Sequence, residues 1–109
     1  MAQSNKKVLL CKKIIFHSPK DQEAFWEWIK KISAIDEIVK KEHVIFLHLN
    51  NSRVNNHTLD NLLGLFYRYN LEMTQLARFL NGKNKSWFYD NKKAYWHKKV
   101  FGTQTSKKR

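Results

Sequence analysis

The chain has 109 residues, 42% hydrophobic and 14% aromatic, with three Gly and one Pro, which is apolar material for one core and too few breakers for a second domain or a largely disordered chain. Its formal charge is +12, from 21 Lys and Arg against nine Asp and Glu, a balance that points to anionic partners rather than to basic ones. The longest apolar runs, Val8 to Cys11 and Val44 to Leu47, fall far short of a secretory signal or of the roughly 20 residues that span a bilayer, so a cytoplasmic chain with no membrane partner is expected.

In chain order, "KKVLLCKKIIFH" is rich in β-branched and apolar residues and predicts a first strand running to His17. Ser18 as N-cap, Pro19 at the first helical position and an acid in the first turn then open a helix whose buried stripe is Phe25, Trp28, Ile29 and Ile32, with Trp26 just off it. Ile35 to Val39 and Val44 to Leu49 flank the polar "KKEH" and predict a β-hairpin. The Asn-rich loop after it ends in capping candidates, and Leu59, Leu62, Leu63, Phe66 and Tyr69 share one face of the next helix. Past the tight corner "NLE", Met73, Leu76, Ala77 and Leu80 predict a further short helix that stops at Asn81–Gly82 by the left-handed backbone these residues tolerate. Asp90 is placed to cap a last helix running to Phe101, closed by Gly102.

These elements predict an α+β fold: a small three-stranded sheet, built as strand, helix and hairpin, covered by the first helix and two or three short C-terminal helices. Residues 7–102 are expected to form a single domain, with 1–6 a flexible start and 103–109 a disordered basic tail.

The charge is unevenly spread: residues 1–17 carry +4, 18–42 carry −1, 43–81 carry +1 and 82–109 carry +8. Within the last stretch aromatic rings alternate with lysines. On a helix from Asp90, Trp96, Val100 and Phe101 would face the core while Tyr95 and the lysines beside it would be displayed. Of Trp87, Phe88 and Tyr89, at least one ring is expected to be exposed. Lysines attract phosphate and release counterions, and an exposed ring offers a base a flat face. Lys83, Lys85, Lys92, Lys93, Lys98 and Lys99, with Tyr95 and Trp87 as stacking rings, are therefore the candidate partner-binding residues, and nucleic acid bound without strong sequence preference is the expected partner. Only four of the bases are Arg, which argues against reading of base edges.

The competing reading is an immunity or inhibitor-type module that neutralises an acidic protein, either through the basic face or through a secondary interface at Trp26. "MTQLARFLNGKNKSW" is similar to the start of helix-turn-helix motifs through Thr74, Leu76 and Ala77. Gly82, however, stands five residues after Ala77 where that family has four, so a helical hairpin is expected there rather than a DNA-groove reader. The five histidines show no CxxC, HxxxH or HExxH spacing, so no metal, cofactor or catalytic set is expected. Cys11, lacking a second cysteine, cannot form an internal disulfide and reads as a small buried thiol.

Overall fold

The computed structural model describes residues 6–102. The flexible start and the basic tail expected at the two ends lie outside these residues, except for Lys6, which opens the first strand. The elements are β1 (Lys6–Lys12), α1 (Pro19–Lys30), β2 (Ile35–Lys41), β3 (Val44–Asn50), α2 (Asn56–Arg68), α3 (Lys85–Phe88) and α4 (His97–Phe101), with 3-10 turns at Asn51–Arg53 and Met73–Phe79. The α+β architecture expected of the chain is the one it adopts.

Among the described residues the strands form one three-stranded sheet in the order β1-β3-β2. Both edge strands run antiparallel to β3, so they are parallel to each other but not neighbours, and α1 carries the chain from one edge to the other across β3. The register sets Leu9 opposite Leu47 and Cys11 opposite Ile45 on one face, with Ile38 completing the row beside Leu47. Leu9, Cys11, Ile45, Leu47 and Leu49 on that face are buried and join Phe25 and Ile29 of α1 and Leu59, Leu62, Leu63 and Phe66 of α2 in a single core. Burial pushes the Cys11 thiol up to about 12, so it packs as an apolar group.

The first strand is shorter than expected. It stops at Lys12 because Lys13 takes a left-handed backbone, φ 57°, which redirects the chain. Ile14 and Phe16 then turn back onto the core, and Ile15 is left 72% exposed. Ser18 caps α1 by accepting from the Asp21 N–H at 3.1 Å. Asp21 in turn ties the helix start to the end of α2: its carboxylate accepts from the His17 N–H at 3.0 Å and the Tyr69 hydroxyl at 3.1 Å, and lies 3.5 Å from Arg68.

The His17 N–H holds the Asp21 carboxyl below the ordinary carboxylate range, opposed by desolvation and aided by Tyr69 and Arg68. A carboxyl depressed on folding stabilises the fold above its unfolded pKa, about 3.9, and loses that contribution as pH falls through the folded value. Asp21→Asn is therefore expected to be less stable than the parent at neutral pH. The gap should narrow as pH drops below about 4, which urea denaturation across that range would measure.

Helix α2 is capped by Asn55, whose side chain accepts from the Thr58 N–H at 2.8 Å. It ends where Asn70 adopts φ 56° and the Leu71 N–H reaches back to the Phe66 carbonyl at 2.9 Å. The left-handed stop expected at Asn81–Gly82 is thus found one element earlier. At Asn81 the turn is held instead by side chains: Asn81 Oδ1 accepts from the Lys83 and Asn84 N–H groups, and buried Asn84 accepts from Asn81 N–H while donating to the Phe79 carbonyl. Gly82 is not at positive φ.

Met73–Phe79 is a 3-10 helix and not the expected α-helix. At three residues per turn, positions i, i+3 and i+6 fall in line, so Met73, Leu76 and Phe79 are buried together and Leu80, expected on the buried face, is 37% exposed. The same alignment places Gln75 and Arg78 in a row along the free edge of β1. Gln75 accepts from Leu10 N–H at 2.7 Å and donates to Leu10 C=O at 2.9 Å, and Arg78 donates to Val8 C=O at 2.7 Å. Three 3-10 residues rise about 6 Å and two strand residues about 6.6 Å, so the two repeats match, whereas three α-helical residues would rise only about 4.5 Å.

Candidate functional site

The C-terminal stretch folds differently from the single helix expected from Asp90. Asp90 does not cap; its carboxylate is paired with Lys85 Nζ at 3.1 and 3.2 Å, and residues 91–96 form turns before the one-turn α4. Gly102, at φ 76°, closes α4 as expected. Phe88, Trp96 and Val100 are buried in the core, and Phe101 and Trp87 are half-buried against it.

His97 is buried as well, with its Nε2 2.7 Å from the Tyr89 carbonyl, an acceptor that places a proton on Nε2. Trp87 is a wedge more than a platform: its ring lies 6.1 Å from Trp96 and 5.6 Å from Phe88. Its indole N–H is turned inward without a partner among the described residues. Of Trp87, Phe88 and Tyr89, none is fully exposed; Phe88 is buried and the other two are half-buried.

Tyr95, by contrast, is 56% exposed, and Lys83, Lys92, Lys93, Lys98 and Lys99 are all exposed. Lys85 is exposed too, but it spends its charge on Asp90 and lies 5.8 Å from the Tyr89 ring.

What the sequence reading missed is the partner of Tyr95. Tyr67, on the outer side of α2 and 44% exposed, meets Tyr95 edge to face at 4.6 Å and 75°, and Lys99 Nζ lies 5.8 Å over the Tyr67 ring. Tyr67 stands one residue past the buried Phe66, so periodicity marks it only as a surface residue; the pairing arises from the tertiary fold. The Tyr95 hydroxyl is raised above the ordinary phenol value, first by partial burial and then by the charge of Asp60 and by Tyr67.

Gly64 lies under this pair. A Cβ there would sit 3.5 Å from the Trp28 ring and 3.9 Å from the Tyr95 hydroxyl, ordinary van der Waals distances. Gly64→Ala is therefore expected to raise stability by about 0.5–1 kcal/mol through helix propensity, read as a higher urea midpoint with an unchanged slope.

Trp26, the candidate secondary interface, is half-buried, packs edge to face on Phe25 at 5.6 Å, and lines a shallow groove with Ile14, Phe16, Ile45, Lys40 and Glu42. Among the described residues no group of three His, Cys, Asp or Glu is placed to hold a metal ion, and no helix is long and apolar enough to cross a membrane. No protein-family model, curated protein or solved structure matches the chain.

Proposed function

We propose that this is a non-catalytic domain that binds single-stranded nucleic acid without strong sequence preference. The observation that carries the reading is the exposed Tyr67–Tyr95 pair with Lys99 lying over Tyr67, where Tyr95 and Lys99 belong to the segment that holds most of the positive charge. Two rings from different parts of the chain, held edge to face, give bases a stacking surface of low entropy cost, and Lys92, Lys93, Lys98 and Lys99 supply the phosphate contacts. Lys83 extends the track. Lys85 and Trp87 serve it indirectly, since the charge of the first is matched by Asp90 and the ring of the second buttresses Trp96.

Fluorescence anisotropy with labelled oligo(dT) and a mixed-sequence oligonucleotide tests the reading. With Lys83, Lys92, Lys93, Lys98 and Lys99 as phosphate contacts, affinity should fall about a hundredfold between about 50 and 200 mM salt. Replacing Lys92, Lys93, Lys98 and Lys99 by Gln should weaken both oligonucleotides alike and flatten the salt slope. Tyr95→Ala and Tyr67→Ala should each cost about 1–3 kcal/mol of binding at an unchanged slope. Salt-independent binding, or none at low salt, would defeat it.

A further inference from the structure

The sheet has a second face, and its composition is unusual for one turned to water. The register places Leu10, Phe46 and Val39 side by side across the three strands, with Val8 beside His48 and Val44 between Lys12 and Lys41. An antiparallel sheet covered on one side ordinarily alternates apolar inward with polar outward. Here Val8, Leu10, Val39, Val44 and Phe46 all lie on the outer face. Each is half-buried, and they belong neither to the core nor to the apolar side chains packed on it. The patch spans about 13 Å along the strands and about 10 Å across them, the footprint of two to three turns of one helix.

Charge says what fits. Lys12 and Lys41 close one end of the patch, Arg78 reaches the β1 edge at Val8, and Glu37 is the acid paired across from His48 on this face. A second copy stacked with its strands in line would oppose lysines to lysines, and one turned end for end would set Lys12 toward Arg78. Residues 1–5 and 103–109 carry one large apolar side chain, Met1, between them, too little to form a covering layer. Phe46 is the aromatic ring of the patch, and aliphatic Val and Leu give bases little to stack on.

We infer that this face docks an amphipathic helix of a partner protein whose apolar stripe is flanked by Asp and Glu. The stripe would lie over Leu10, Phe46 and Val39 and the acids would meet Lys12 and Lys41, a helix-on-sheet layer supplied in trans. This surface is distinct from the tyrosine and lysine surface proposed for nucleic acid.

The test uses the isotopically labelled full chain in NMR titrations with a synthetic helical peptide of about 18 residues, Leu along one stripe and Glu on both flanks. A saturable shift of the Leu10, Val39 and Phe46 resonances is expected, with none from the peptide carrying Lys in place of Glu. Phe46→Thr with Val39→Thr, which puts a strand-favouring β-branched residue at both positions, should weaken the acidic peptide at least about tenfold. Lys12→Glu with Lys41→Glu, at exposed positions that do not endanger folding, should reverse the preference between the two peptides.

Absence of a saturable shift, equal binding of both peptides, or indifference to these substitutions would overturn the inference. So would shifts of the same residues on self-association, which would make the occupant a second copy, or on adding oligo(dT), which would make it nucleic acid. Because the nucleic-acid reading depends on Tyr95 and the C-terminal lysines, either proposal can fail without the other.

Discussion

Phe88→Ala is expected to destabilise the domain by about 3–5 kcal/mol, the cost of truncating a buried aromatic ring that its surroundings cannot collapse onto. The ring is fully buried, with centroids 5.0 Å from Phe101 and 5.6 Å from both Trp87 and Trp96. Those four rings are what holds the short helices α3 and α4 and the turns between them. Helices of four and five residues have no stability of their own. Against a total of about 5–15 kcal/mol for a domain of ordinary stability, the loss would loosen the whole C-terminal stretch. Urea denaturation measures the first effect. A second follows if the lysine surface binds nucleic acid: affinity should fall although no lysine or tyrosine is changed, and Phe88→Leu, which refills most of the space, should restore part of both.

Gln75→Ala is expected to cost about 2–3 kcal/mol, more than a surface glutamine ordinarily would. The side chain completes both hydrogen bonds of Leu10 and also donates to the exposed Glu72 carbonyl at 2.9 Å, so its removal strands the partly buried N–H and C=O of Leu10 together. Gln75→Glu separates this explanation from simple loss of packing. An ionised carboxylate can still accept from the Leu10 N–H but cannot donate to the Leu10 carbonyl. Its defect should therefore be present at neutral pH and shrink as pH falls through the ordinary glutamate range, where the protonated acid regains a donor. A deficit that stayed constant with pH would contradict this account.

The parts of the fold that were legible from the sequence are those governed by local rules. Ser18 and Pro19 mark the start of α1 because capping involves near neighbours alone, and the stripe from Leu59 to Tyr69 marks α2 because its burial has a helical period. The hairpin was visible as two β-rich runs. Hidden were the features decided by distant partners. Nothing near Gln75 says that it will bond to a strand 65 residues away, and that bond accompanies a 3-10 repeat where an α-helix was expected. Asp90 resembles a helix cap until Lys85 takes its carboxylate.

The candidate surface divides the same way. The helical wheel drawn from Asp90 sets Tyr95 and its lysines outward and they are exposed, although residues 91–96 form turns and not that helix, whereas Tyr67 joins them only through the packing of α2 against the C-terminal turns. The outer face of the sheet stayed unseen because alternation within a strand separates two faces without saying which one the helices cover.

The commensurate repeat of the 3-10 segment and β1 also limits how these molecules can assemble. With the Val8 carbonyl and both backbone groups of Leu10 already taken by Arg78 and Gln75, the β2 border is the freer one for strand addition among the described residues. Two molecules joined border to border there would present sealed margins on both outer sides. Growth would end at the pair, and an open-ended fibril has no second adhesive side from which to extend.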